Sequence, residues 1–142
     1  MSLMRILDIT GSGMSAQSIR LNTIASNLAN ADSVSGSEET TYRARKPIFA
    51  AAMADANNGV YPSSPEAVGV KVLGIVETND PLKKEYNPGH PLANADGYIM
   101  GSNVNVMQEM GDMIAASRSY EVDAKLADAV KDLVMQTIRI GQ

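Results

Sequence analysis

Hydrophobic and polar positions divide the chain into two helical ends and a middle part with the patterns of strands and turns. Over residues 3–31, Leu7, Met14, Leu21 and Leu28 recur every seven positions, which predicts an amphipathic helix with a coiled-coil seam. At 1.5 Å per residue this helix would be about 43 Å long.

The C-terminal helix, predicted from about residue 103 to residue 140, carries two apolar stripes. A helix that packs against one partner needs only one stripe, so the second predicts a further packing partner outside the pair. The first stripe consists of Val106, Met110, Met113, Ser117, Tyr120, Ala124 and Ala127, and the second of Val122, Leu126, Val130, Leu133, Thr137 and Ile140.

The N-terminal helix has a polar side built from amides and hydroxyls rather than charges. This side contains Asn22, Thr23, Ser26, Asn27 and Asn30, and between Thr10 and Ala31 the only charged residue is Arg20. Charged side chains are costly to desolvate, whereas amides and hydroxyls can be satisfied by hydrogen bonds in a buried interface. We therefore expect this polar side, like the apolar seam, to face a neighbour in an assembly. Gly11 and Gly13 weaken the first turns, so the helix is expected to be broken or deformable there.

The strand and turn patterns of residues 33–102 predict a small β-rich insert. The best strand covers residues 68–76, where Gly69 and Gly74 indicate a bulge or a close backbone approach. The other predicted elements are a polar loop at 33–41, an extended segment at 42–49 that Pro47 places at a sheet edge, an Asn/Ser/Pro-rich loop at 54–66, a type II turn at Asn87-Pro88-Gly89 and a short returning strand at 98–100.

Together these patterns predict an α+β chain. Its long N- and C-terminal helices, in residues 1–32 and 103–142, are expected to pack as an antiparallel coiled-coil-like pair. The β-rich insert of residues 33–102 lies between them.

Composition excludes several classes of function. The net charge of −4 provides no basic field for nucleic acid, and the absence of cysteine excludes disulfides and thiol chemistry. No uncharged apolar run approaches the roughly 18 residues that a transmembrane helix needs. The N-terminus is not expected to be a secretory signal peptide, because Asp8 interrupts its apolar run.

No group of residues has the pattern of a catalytic, cofactor or metal site. His90 is the only histidine, and it has no partner for catalysis or metal binding close in sequence. Arg43, Arg45 and Lys46 form a small basic cluster, for which phosphate binding and protection of a strand edge are both open interpretations. We therefore expect no cofactor and no enzymatic activity.

Four motifs in order along the chain give a resemblance to a known family. They are ASNLANADS (residues 25–33), YRAR (42–45), YNPGHPLANADGYIMGSNVNVMQEM (86–110) and SRSYEVDAKL (117–126). With these motifs the sequence resembles the flagellar basal-body rod proteins, and most closely their short proximal-rod members.

This resemblance implies a structural subunit that assembles helically in the periplasmic rod of the bacterial flagellum and transmits motor torque to the hook. It also implies export by the flagellar type III apparatus without cleavage of a signal peptide. The implied partners are further copies of the chain, the rod proteins FlgB and FlgF, and the rod-base protein FliE. The alternative function is an export-linked adaptor or secretion chaperone with an amphipathic helix pair.

The predicted assembly interface takes some of its members from each of the apolar seam, the polar side and the two C-terminal stripes. Its members are Leu7, Met14, Leu21, Asn22, Ile24, Ser26, Asn27, Leu28, Asn30, Met110, Met113, Ser117, Tyr120, Leu126, Val130, Leu133 and Ile140.

Overall fold

The structure, a computed structural model, describes residues 3–53 and 67–140. The described elements are α1 (Leu3–Ala29), β1 (Val34–Ser35), β2 (Arg45–Met53), β3 (Ala67–Glu77), β4 (Lys83–Tyr86), β5 (Tyr98–Gly101) and α2 (Val106–Ile140). This confirms the α+β class, with helices at both ends and a β-rich insert. The loop predicted over residues 54–66 lies outside the described residues.

The chain divides into two compact units. The first unit contains Met1–Ile19, Ile48–Gly74 and Ala115–Gln142, and the second contains Arg20–Pro47 and Ile75–Ile114. Each unit therefore includes a part of both helices and a part of the β2–β3 strand pair.

In the first unit, α1 runs without a break through Gly11 and Gly13, so the expected interruption there is wrong. Gly13 instead permits a close approach of the two helices, because a Cβ at this position would lie 2.9 Å from the Asp123 carboxylate. The intervening Ser12 donates a hydrogen bond to the Ile9 carbonyl at 2.8 Å and accepts one from the Val70 amide at 3.1 Å.

Strands β2 and β3 form a two-stranded sheet, which we call the ribbon. Gly69 has a φ of 151°, and a Cβ there would collide with the Ser12 side chain. This confirms the close approach predicted for Gly69. At Gly74 a Cβ would meet open space, so the structure shows no close approach at that glycine. Pro47 lies within β2, and this two-stranded sheet leaves one side of the strand unpaired, as the proline requires.

In the second unit, β1, β5 and β4 form a three-stranded antiparallel sheet in that order. Tyr86 and Tyr98 are paired across β4 and β5, and their rings make an edge contact at 5.2 Å. The returning strand predicted at 98–100 is confirmed as β5. The sequence pattern predicts neither β1, which has two residues, nor β4, whose residues Lys83–Tyr86 are all exposed and show no alternation.

The turn after β4 is not of type II. The His90 amide donates to the Asn87 carbonyl at 3.1 Å, which closes a four-residue turn around Pro88 and Gly89. A type II turn needs a positive φ at Gly89. Within the described residues only Gly69 and Gly97 have a positive φ, so the prediction was wrong in turn type and right in position.

A small core joins the insert to the helix ends within the second unit. Ala31, Ala44 and Val104 are buried against one another, and Tyr42 packs against them. Next to this core α2 begins with Asn105 as its N-cap, whose side-chain oxygen accepts a hydrogen bond from the Gln108 amide at 3.3 Å.

Candidate functional site

The amide of Asn27 is the centre of a buried polar site in which its side chain is hydrogen-bonded to backbone and to Tyr42. Its side chain is 1% exposed. The Asn27 Nδ2 donates to the Arg45 carbonyl at 2.9 Å, and its Oδ1 accepts from the Arg45 amide at 2.9 Å. One side chain of α1 thus satisfies both backbone groups of the first residue of β2.

Tyr42 completes this site from the loop before β2. Its hydroxyl donates to Asn27 Oδ1 at 3.0 Å and lies 3.2 Å from the Ser26 hydroxyl. The Arg45 guanidinium lies over the Tyr42 ring, 5.4 Å from its centre, and forms an ion pair with Glu77 at 3.2 Å. A cation over an aromatic face adds a modest attraction.

A second amide, that of Asn103, approaches the same backbone from the segment before α2. Its Oδ1 accepts from the Ala44 amide at 2.7 Å. Its Nδ2 lies 3.1 Å from both the Thr78 hydroxyl and the Asp80 carbonyl and 3.4 Å from the Thr78 carbonyl. We call the group Asn27, Tyr42, Ala44, Arg45 and Asn103 the asparagine junction.

The asparagine junction brings together three of the motifs that carried the resemblance. ASNLANADS supplies Asn27, YRAR supplies Tyr42, Ala44 and Arg45, and the third motif supplies Asn103. Buried polar groups are stable only when they are hydrogen-bonded, and here each amide is satisfied by backbone. The chemistry of the junction is therefore structural, because its polar groups bond to one another.

The basic cluster beside the junction is largely paired. Arg43 contacts Glu38 at 3.0 Å, and Arg45 contacts Glu77, so these guanidiniums serve internal ion pairs. The His90 ring accepts a hydrogen bond from the Leu92 amide at 3.1 Å, which is a local turn contact. Among the described residues, no group of three His, Asp or Glu side chains could hold a metal ion.

The α1 residues of the predicted interface are mostly buried or half-buried in the isolated chain. Ile24 and Asn27 are buried, and Asn22 is the only exposed member. Leu7, Met14, Leu21, Ser26, Leu28 and Asn30 are partly buried. Ser26 and Asn27 of the polar side thus contact the chain's own insert, and contact of this side with neighbouring subunits stays a prediction.

The α2 residues of the predicted interface are mostly exposed. Val130 is 3% exposed and Met113 is partly buried, whereas Leu126 and Leu133 are 46% and 51% exposed. Met110, Ser117 and Tyr120 are also exposed, and the side chain of Ile140 lies outside the described part. Neither described helix is long and apolar enough to cross a membrane.

Several large apolar side chains of α2 that do not belong to the predicted interface are also exposed. They are Met107, Ile114, Val122, Met135 and Ile138, with Met107 80% exposed. The buried or half-buried positions of α2 include residues spaced by seven, four or three positions, most of them small or acidic, namely Glu109, Ala116, Asp123, Ala127 and Val130. Hydrophobicity alone does not identify these buried positions of α2, because most of them are not among the most apolar residues of the helix.

Two family models match the chain. The model described as "Flagella basal body rod protein" matches residues 7–36, within and just beyond α1. The model described as "Flagellar basal body rod FlgEFG protein C-terminal" matches residues 95–140, which include β5 and α2. The two matches contain Asn27 and Asn103, the two amides of the junction.

Curated relatives extend this likeness over the whole length. The chain is 44% identical over 142 residues to the flagellar basal-body rod protein FlgC of Salmonella typhimurium, with all of both chains covered. It is 43% identical over 142 residues to FlgC of Escherichia coli O157:H7 and 40% identical over 145 residues to FlgC of Buchnera aphidicola from Schizaphis graminum, again with all of each chain covered.

Proposed function

Because the chain belongs to the FlgC family of flagellar basal-body rod proteins and is a structural subunit of that rod, we propose how its surfaces serve assembly. The terminal helices form a pair whose outer faces are covered by neighbouring subunits, and the insert is held to that pair by the asparagine junction. Helical stacking of such subunits would carry torque through the rod.

Two contacts support an antiparallel arrangement of the helix pair. Gly13 of α1 lies against Asp123 of α2, and Arg20 pairs with Asp112 at 2.8 Å. The α2 residue number falls as the α1 number rises, which is the order of an antiparallel pair. Because Gly13 has no side chain, the two helices approach closely at this position.

The single observation that carries the proposal is the exposure of α2. Met107, Ile114, Val122, Leu126 and Leu133 are each about half exposed or more. Full burial of such a side chain stabilises by about 1.5–3 kcal/mol, so covering the exposed part of several of them offers a substantial driving force for association. Monomeric proteins rarely leave so many large apolar side chains on one helix in water.

The partners proposed are further copies of the chain and the rod components FlgB, FlgF and FliE, in the periplasmic part of the rod. Delivery through the flagellar type III export apparatus is proposed with them. Membership in the family supports assembly with rod components, and it favours a rod subunit over the adaptor alternative. It also supports a non-enzymatic role, since the family is one of structural proteins.

The test uses cells of the source bacterium that lack their own copy of the gene. Leu126→Asp together with Leu133→Asp should abolish motility and rod incorporation, while the purified variant keeps the helical circular dichroism of the wild type. Ser37→Asp adds a charge at an exposed polar position of the loop after β1, outside α2, and serves as the control, with motility retained. Normal motility of the double variant would refute the assembly role of this face.

A further inference from the structure

Two amide side chains hold consecutive backbone residues from opposite sides. The Asn27 side chain forms hydrogen bonds with the backbone N–H and carbonyl of Arg45, while the Asn103 side chain accepts one from the backbone N–H of Ala44. Consecutive residues of an extended segment direct their backbone groups to opposite sides. The end of the ribbon at Ala44 and Arg45, which we call its root, is therefore held by one amide from α1 and by one from the segment that leads into α2.

Asn103 occupies the place of a ladder hydrogen bond. The Thr78 amide donates to the Ala44 carbonyl at 2.8 Å, as expected between paired strands. The Ala44 amide, however, donates to Asn103 Oδ1, and the Asn103 Nδ2 reaches the Thr78 carbonyl and hydroxyl. The amide thus bridges Ala44 and Thr78 in place of a second direct hydrogen bond and links the two segments at this end of the ribbon.

Asn27 acts on the outer edge of β2. It fills at Arg45 the positions that a further strand would use, and Pro47, two residues later on the same edge, has no N–H to offer. Two consecutive edge positions are thereby closed to strand pairing. The ribbon root is consequently held in one arrangement and cannot add a strand there.

We propose that Asn27 and Asn103 are positioning residues for rod assembly, forming an amide latch that fixes the root of the ribbon. The latch presents an exposed apolar side chain near that root, Ile75, in one orientation to the neighbouring subunit. This inference rests on the proposed assembly function.

Asn94 provides a matched control for a purely stabilising role. Its Oδ1 accepts from the Asp96 amide at 3.0 Å and from the Tyr98 amide at 2.8 Å. It therefore makes two hydrogen bonds to backbone in the same unit, as the latch residues do, but in the loop before β5 and not at the ribbon.

The experiment compares Asn27→Ala, Asn103→Ala and Asn94→Ala by amide hydrogen exchange of the free protein, thermal unfolding, and rod incorporation. Asn103→Ala should speed exchange of the Ala44 amide by about tenfold or more and change the Arg45 amide by less than about threefold; Asn27→Ala should do the reverse. Both should reduce rod incorporation by about tenfold or more, compared at a growth temperature well below the unfolding midpoint of every variant. Asn94→Ala should leave both amides and incorporation at the wild-type level.

Several results would overturn the latch. Unchanged exchange at Ala44 and Arg45 would show that the amides do not hold this backbone. Faster exchange with full incorporation would show that the ribbon root needs no positioning. Incorporation lost equally in Asn94→Ala, at an equal loss of thermal stability, would leave only a stabilising role. Failure of the wild-type chain to enter rods would instead refute the proposed function.

Discussion

At the scale of single residues, the choice of amides over charges on the last turns of α1 has an internal explanation. Asn27 must donate to the Arg45 carbonyl and accept from the Arg45 amide at the same time. Among polar side chains of this length, only an amide both donates and accepts in one plane. A lysine would lack the acceptor and an aspartate would lack the donor.

This requirement predicts the effect of Asn27→Asp. The carboxylate would face the Arg45 carbonyl in a site that is 1% exposed, so the free energy of unfolding should fall by about 2–3 kcal/mol. Urea unfolding of the variant and the wild type measures this change in the free energy of unfolding. The control is Asn94→Asp, where the side chain only accepts hydrogen bonds and a change below about 0.5 kcal/mol is expected. Equal losses for both would contradict the dual role of Asn27.

The ion pair between Arg20 and Asp112 is predicted to contribute little to stability. Their N–O distance is 2.8 Å, but about a third of each side chain remains exposed. Pairs of this kind typically contribute about 0.2–1 kcal/mol. A double-mutant cycle with Arg20→Ala and Asp112→Ala should give a coupling energy in that range that decreases with added salt. A salt-independent coupling above about 2 kcal/mol would show that the pair is desolvated.

The sequence predicted the residue types of the junction better than their partners. An uncharged polar side on α1 was correctly identified from Asn22 to Asn30, but its partner was expected to be a neighbouring subunit. Asn27 bonds instead to Arg45, which is 18 residues away in sequence, and no local pattern encodes such a pairing. Asn103 was not singled out, because its bonds to Ala44 and Thr78 depend on the packing of three segments.

At the scale of elements, strong periodicity predicted both helices and the long strand β3. It did not predict the short strands β1 and β4. Strand β4 consists of Lys83, Lys84, Glu85 and Tyr86, all exposed, so only its pairing with β5 makes it a strand. The buried side of α2 contains Glu109, Ala116 and Asp123. Ala116 is small, and Asp123 lies beside Gly13, which has no side chain, and a hydrophobic pattern reports neither feature.

The two glycines of β3 are predicted to respond in opposite ways to substitution. Gly69 has a φ of 151° and lies against Ser12, so Gly69→Ala should lower the free energy of unfolding by about 1–3 kcal/mol. Gly74 has open space at its Cβ and no positive φ, so Gly74→Ala should change stability by less than about 0.5 kcal/mol. Thermal unfolding of both variants checks the pair. A larger loss at Gly74 would contradict the packing of β3 on α1.

At the scale of the whole molecule, the exposed side of α2 is the surface that we propose other subunits cover. Val130 is buried within the chain, whereas Leu133, three residues later, is 51% exposed. The sequence indicated that the C-terminal helix has two apolar stripes, whereas one chain supplies only one partner helix for it. It could not indicate which residues remain outside, because this depends on where the small residues of α1 and α2 allow the helices to meet.

The most direct test of this account measures the exposure of single cysteines, since the chain contains none. Leu133→Cys, Met107→Cys and Val130→Cys are labelled with a maleimide in the free subunit and in isolated basal bodies, and labelling at each position is quantified by mass spectrometry. Cysteines at 133 and 107 should react rapidly in the free subunit and at least about a hundredfold more slowly in the rod, whereas the cysteine at 130 should be protected in both. Equal labelling of position 133 in the free and assembled states would contradict the claim that neighbouring subunits cover α2.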